Sequence, residues 1–168
     1  MIYRIQACLP LCLIAVIFTA GCGSDASGES IPDRTESGSN SEITVDDVFL
    51  SWVLSDSDIE ITVSAPTTGW VAVGFEPTAA MKDADIIIGF VSADGVFIRD
   101  DWGDGFTSHR ADTELGGADN VTLISGNEED GATRLIFSIP LSSGDQYDKH
   151  LETGTTYKVL LAYGQEDA

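Results

Sequence analysis

The sequence predicts an all-β protein, an antiparallel, immunoglobulin-like β-sandwich of about eight to ten strands. Three observations carry this. Short apolar segments recur at regular intervals between clusters of Gly, Asp, Asn, Ser and Pro, the spacing of strands joined by tight turns. Several of them alternate apolar with polar residues, the period of a strand with one buried face. Helical periodicity is almost absent.

The first strand is expected at residues 48–54, with Trp52 inside it. Asp56-Ser57-Asp58 turns the chain into 59–65, where Ile59, Ile61 and Val63 alternate with polar residues. Residues 66–69 turn again. Residues 70–75 and 85–91 are the next strands, and the second is apolar on both faces, as for a strand in the middle of a sandwich. Ala93-Asp94-Gly95 makes a tight hairpin into 96–101. A polar loop rich in Gly and Asp covers 102–119. Then follow a strand at 121–125, an acidic turn at 127–131, a strand at 133–139, a long loop at 140–153 and a last strand at 156–163. Pro140 closes its strand, where a missing ladder donor is tolerated.

Residues 1–21 are expected to be a secretory signal. Arg4 precedes an apolar run over 7–20 that Pro10 and Thr19 interrupt, too short for a stable membrane span. The run stops at Thr19-Ala20-Gly21-Cys22, which looks like a bacterial lipoprotein signal with Cys22 as the lipidated N-terminus. Thr19 stands where an aliphatic residue is usual, and the alternative is ordinary cleavage leaving Cys22 as a free thiol. Cys8 and Cys12 would leave with the signal, so the mature chain has no disulfide and depends on its core. Residues 22–42 read as a disordered tether dominated by Ser, Gly, Asp and Glu. One domain is expected over 43–168, extracytoplasmic and membrane-anchored, at the cell surface or in the periplasm.

The formal net charge is −20, and every acidic residue follows Cys22. Such a chain repels nucleic acid and anionic lipid, which excludes both as partners. The charge serves solubility, or else docking to a basic redox partner or the binding of cations.

Met81 lies in the connector between strands 70–75 and 85–91, and the only other methionine is the initiator. A thioether there is a core filler or a metal ligand. The residues around it decide between these. Gly69-Trp70-Val71-Ala72-Val73-Gly74-Phe75, Met81-Lys82-Asp83-Ala84-Asp85-Ile86, Gly89, Asp100-Asp101, Phe137-Ser138-Ile139-Pro140-Leu141 and Tyr157-Lys158-Val159 leading to Ala162-Tyr163-Gly164 occur in one order. In that order and spacing they resemble the DOMON domain, a module of dopamine β-monooxygenase and of the cytochrome part of cellobiose dehydrogenase. The resemblance spans about residues 43–164.

The resemblance implies a β-sandwich that binds a ligand. In the family's redox branch that ligand is a b-type haem held by a methionine and a histidine, and Met81 matches the methionine. Met/His ligation fills both axial positions and raises the reduction potential, so such an iron passes electrons. Trp70 and Phe75 would wall the pocket, their alternative role being core packing. The family's histidine follows the last strand, and here Gln165-Glu166-Asp167-Ala168 stands instead. On this reading the second ligand lies past Ala168 or is lost. His109 and His150 remain. His109, in a loop flanked by Trp102 and Phe106, is the candidate to meet Met81 across the sandwich mouth, against the simpler role of a solvated side chain.

Asp100, Asp101, Asp104, Asp112, Glu114 and Asp119 crowd the 100–119 region. Clustered carboxylates suit Ca²⁺, although the spacing is not that of an EF-hand, and a solvated acidic loop is the plain alternative. No nucleophile motif, zinc-protease motif or phosphate loop occurs, so an enzyme is not expected. The expected function is an extracytoplasmic haem-b-binding electron-transfer module with a redox partner protein. The alternatives are a non-redox sugar or small-ligand module, with Trp102, Tyr147 and Tyr163 as stacking candidates, and a structural or adhesive surface domain.

Overall fold

Among the residues the structure describes, eleven strands and one short helix follow in order: β1 (Ile2–Tyr3), β2 (Ser41–Val45), β3 (Val48–Leu54), β4 (Asp58–Ala65), β5 (Val71–Phe75), β6 (Asp85–Ser92), β7 (Gly95–Trp102), β8 (Arg110–Ala111), α1 (Asp112–Leu115), β9 (Thr122–Glu129), β10 (Ala132–Pro140) and β11 (Val159–Tyr163). This computed structural model describes residues 2–3 and 41–167. Apart from Ile2–Tyr3, the expected signal, Cys22 and the tether as far as residue 40 lie outside the described residues. No described helix is long and apolar enough to cross a membrane.

One sheet runs β1-β11-β5-β6-β7-β8 and the other β2-β3-β4-β10-β9. All pairings are antiparallel, which makes the all-β sandwich that the strand pattern predicts. The core follows from alternation. Leu50 and Trp52 on β3, Ile61 and Val63 on β4, and Leu135 and Phe137 on β10 point inward from one sheet. Val71, Val73 and Phe75 on β5, Ile87 on β6 and Leu161 on β11 meet them from the other. Most are β-branched or aromatic, shapes that fit a pleated surface. Each fully buried side chain of this kind is worth about 1.5–3 kcal/mol.

The opposite face of the first sheet is apolar too. Ala72, Ala84, Ile86 and Ile88 form a second buried cluster, against which Trp70 and Met81 pack. This is why the β6 run is apolar at both parities.

Three boundaries differ from the sequence expectation. A strand, β2, precedes 48–54, and Ser41 and Glu42 pair with Trp52 and Ser51 instead of belonging to the tether. The acidic stretch at 127–131 is mostly strand: β9 runs to Glu129, and only Asp130 and Gly131 turn, at φ 53° and 76°. Positive φ at both central residues is the type I′ hairpin that Asp-Gly favours, and its twist allows the ladder to continue to the turn. The exposed acids of β9 guard a sheet edge against pairing with another chain. The last strand starts at Val159, three residues later than expected.

A buried hydroxyl ties the sheets together. Thr133 on β10, 0% exposed, donates towards the carbonyl oxygens of Thr67 and Gly69 at 2.9 and 3.0 Å, in the segment that enters β5. Thr133→Val keeps the shape and orphans those carbonyls, so it should cost about 1–3 kcal/mol, while Thr133→Ser should keep most of the stability. Urea denaturation of both variants checks this; equal loss in the two would refute the hydroxyl's role.

Candidate functional site

The last residues of β7 place two groups of side chains. Asp100 pairs with Ile87 and Asp101 with Ile86 in the β6–β7 ladder. Ile87 belongs to the inner core and Ile86 to the outer cluster. Consecutive strand residues point to opposite faces, so Asp100 turns to the inner side and Asp101 to the outer side.

On the outer side lies a cleft of about 200 Å³, lined among others by Trp70, Met81, Ile86, Ile88, Thr107 and His109. Met81 reaches it from a connector held in an uncommon backbone form, since Glu76, Ala80 and Asp83 all have positive φ (49°, 53° and 60°). For Ala80 this is a costly conformation that its surroundings must enforce. They do so by knitting the connector to the loop after β7. Met81 N–H donates to the Phe106 carbonyl at 3.3 Å, Asp83 N–H to that of Gly103 at 2.7 Å, and Gly103 N–H to that of Ala84 at 2.8 Å. The approach leaves no room for a side chain at Gly103, where a Cβ would lie 1.8 Å from the Met81 carbonyl oxygen.

His109 comes from the other end of that loop. Its Nδ1 lies 2.5 Å from Asp101 Oδ2, while Arg99 donates through Nε to Asp101 Oδ1 at 2.5 Å and through a terminal nitrogen to Oδ2 at 2.8 Å. Burial pushes the Asp101 carboxyl up, but the His109 and Arg99 hydrogen bonds outweigh it and hold the group below the usual carboxylate range. An ionised Asp101 makes His109 Nδ1 the donor, which leaves Nε2 as the free ring nitrogen. Asp104 braces the loop by accepting from Ser108 Oγ and Arg110 Nε, both at 2.7 Å.

Three of the four cleft candidates named from sequence therefore meet: Trp70, Met81 and His109. Phe75 does not. It is 3% exposed in the inner core, because it shares the parity of Val71 and Val73 while Trp70 shares that of Ala72. The resemblance implied a histidine beyond the last strand; among the described residues, the imidazole that lines the cleft with Met81 comes from the β7–β8 loop. His150 is exposed and pairs with Glu152 at 3.2 Å. The stacking candidates are otherwise engaged. Tyr147 packs edge-on against Trp102 and donates to the Leu115 carbonyl, and Lys149 Nζ sits 4.6 Å from the Trp102 ring centroid. Tyr163 packs against the inner core.

On the inner side the carboxylates gather differently from the sequence expectation. Asp85, Asp100 and Asp148 form one trio of oxygen donors and Asp112, Asp145 and Asp148 another. Asp100 and Asp112 were legible as candidates, whereas Asp101 and Asp104 are committed to ion pairs and Asp119 Oδ1 accepts from Val121 N–H. Asp85, Asp145 and Asp148 were missed, since folding alone brings the 140–151 loop beside β6. Burial pushes the Asp85 carboxyl well up, against a backbone hydrogen bond from Lys149. Burial first, then neighbouring aspartates, lift Asp100 to about 7 and Asp112 to about 8, with the Asn120 amide opposing the shift at Asp100. A carboxyl raised on folding favours the folded state while protonated, and that advantage is lost as pH rises through the folded value. In chelator-containing buffer the melting temperature should therefore fall between about pH 5 and pH 8.5. A profile that is flat or rising over that range would contradict the burial and repulsion that raise these carboxyls.

The chain resembles known proteins over most of its length. It is 30% identical to human DBH-like monooxygenase protein 1 over 163 residues, covering 97% of this chain and 25% of that protein. Mouse DBH-like monooxygenase protein 1 is 29% identical over 119 residues, 71% of this chain and 19% of the relative. Drosophila melanogaster MOXD1 homolog 2 is 27% identical over 124 residues, 73% and 16% respectively. The chain thus spans a quarter or less of the length of these relatives. The model of the DOMON domain family matches residues 44–164, from within β2 to just past β11, and the chain belongs to that family.

Proposed function

We propose that the chain is a haem-b-binding electron-transfer module, with the haem held in the outer cleft between Met81 and His109. The single observation that supports this most is the convergence of those two side chains in one cleft. The donor set fits the group. A soft neutral thioether and an imidazole suit a low-spin haem iron, and Asp101 fixes the imidazole with Nε2 free to ligate. The wall fits as well, because Ala72, Ile86 and Ile88 offer an apolar bed and Trp70 a flat side. When bound, the haem would supply one-electron transfer to a redox partner protein. The chain's own residues orient the ligands and keep water from one face of the ring.

The sequence around Cys22 supports an extracytoplasmic, lipid-anchored placement for this module. Cys22→Ser should abolish incorporation of labelled fatty acid in a bacterial host, and undiminished labelling would refute that placement.

A second reading uses the same cleft for a small neutral ligand, with the Trp70 ring and Thr107 hydroxyl as its contacts. Haem titration separates the two. The purified domain should give a six-coordinate, low-spin b-type spectrum, and Met81→Ala and His109→Ala should each abolish it or turn it high-spin. Asp101→Asn should weaken haem binding by roughly 10–100-fold, through loss of imidazole orientation. Absence of a Soret shift with the wild-type domain would reject haem and leave the small-ligand reading.

A further inference from the structure

The carboxylates on the inner side of β7 have no part in the haem cleft. We propose that Asp85, Asp100, Asp112, Asp145 and Asp148 form a binding site for a divalent cation of the calcium class, which clamps two loops to the ends of β6 and β7.

Clustered aspartates alone would not support this; the buried oxygens without partners do. Asp112 is 0% exposed, and neither of its carboxylate oxygens has a hydrogen-bond partner among the described residues. Asp100 is 3% exposed, with Oδ1 unpartnered, and Oδ1 of Asp148 is also buried without a partner. Leaving a buried carboxyl oxygen without a partner costs free energy in either protonation state, and most when it is charged. The other oxygens are held from behind. Asp85 Oδ2 accepts from Lys149 N–H at 2.9 Å, Asp100 Oδ2 from Asn120 N–H at 3.0 Å and Asp148 Oδ2 from Asn120 Nδ2 at 2.8 Å. Asp145 accepts from the amides of Ala118 and Tyr147 at 2.7 and 3.0 Å. The amides orient the carboxylates and leave oxygens turned toward one another.

The geometry and chemistry select the ion. Within each trio the donor oxygens lie within 4.8 Å of one another. Oxygens on opposite sides of a calcium ion stand about 4.6–5.2 Å apart, so each trio fits around one shell. Asp148 belongs to both trios and is the shared ligand. The donors are hard oxygens with no imidazole or thiolate among them, which favours calcium over zinc or copper. Among the described residues, no basic side chain does the ion's work. The ion pairs among the described residues involve Asp101, Asp104 and Glu152, and the Lys149 ammonium lies over the Trp102 ring. The two trios draw on the start of β6, the end of β7, α1 and the 140–151 loop, so a cation would fasten that loop to the ends of β6 and β7 through the first trio and to α1 through the second.

The experiment uses the whole DOMON domain, stripped with a chelator and dialysed at pH 7.5. Calcium should raise its melting temperature by about 5 °C or more at saturation, magnesium by less. Terbium, a calcium probe, should show luminescence sensitised by Trp102 and Tyr147. Asp148→Asn removes a repelling charge, and Asp112→Asn replaces a buried carboxyl with a neutral amide of the same shape. Both should fold and melt no lower than the stripped wild type, yet bind calcium at least ten-fold more weakly. Asp94→Asn, in the distant β6–β7 hairpin, should respond as the wild type does. The proposal is overturned if calcium leaves the melting temperature unchanged, or if Asp148→Asn and Asp94→Asn respond alike. Neither result depends on whether haem binds.

Discussion

A sheet that is apolar on both faces must be covered on both, and this constraint organises the molecule. The second sheet covers the inner face of β5 and β6 along their length. On the outer face, Ala72, Ile86 and Ile88 are buried with no sheet of the described residues opposite them, and part of the cover comes from the Met81 connector and the loop that carries His109. Irregular segments bring unpaired backbone groups with them, and these satisfy one another across the gap between residues 81–84 and 103–106. Met81 is therefore both a packing residue and a candidate ligand. The two roles do not compete, because the packing is what holds the thioether at the cleft.

The end of β7 shows how alternation separates buried charges by their company. Asp101 is 0% exposed, and its burial is offset by a guanidinium and an imidazole. Asp100, one residue earlier and 3% exposed, has only a backbone amide and several other carboxylates. A buried carboxylate with charged partners is sustainable, whereas one facing like charges must bind a proton or a cation. Two adjacent residues of the same type thus end with opposite electrostatics, Asp101 driven to the charged form and Asp100 away from it.

This explains how far the sequence could be read. The strands were legible because period-two patterning is written locally, in Ile59, Ile61 and Val63 for instance. The β9–β10 turn was drawn too long because a run of acids looks like a loop, although Asp130-Gly131 alone carries the turn. Parity would have separated Phe75 from Trp70, since they lie five residues apart on one strand path and face opposite sides. His109 was harder. Its loop returns over the outer face through tertiary contacts at Met81 and Asp101, and no local pattern encodes that return. Asp145 and Asp148 lay beyond local reach for the same reason, more than 40 residues along the chain from Asp100. Local chemistry named several members of each cluster, but only the fold decided which met.

The arrangement also bears on how one small domain can keep two kinds of donor group apart. A thioether and an imidazole face the outer cleft, and carboxylates alone face the inner cluster. In open competition a metal ion takes whatever donors are near, so selectivity has to come from geometry and donor type. The pleat provides both. It sends soft and hard donors to opposite sides of β6 and β7, with the ladder and a layer of aliphatic side chains between them. The separation costs no additional element, because the alternation that buries Ile87 inward and Ile86 outward also divides Asp100 from Asp101.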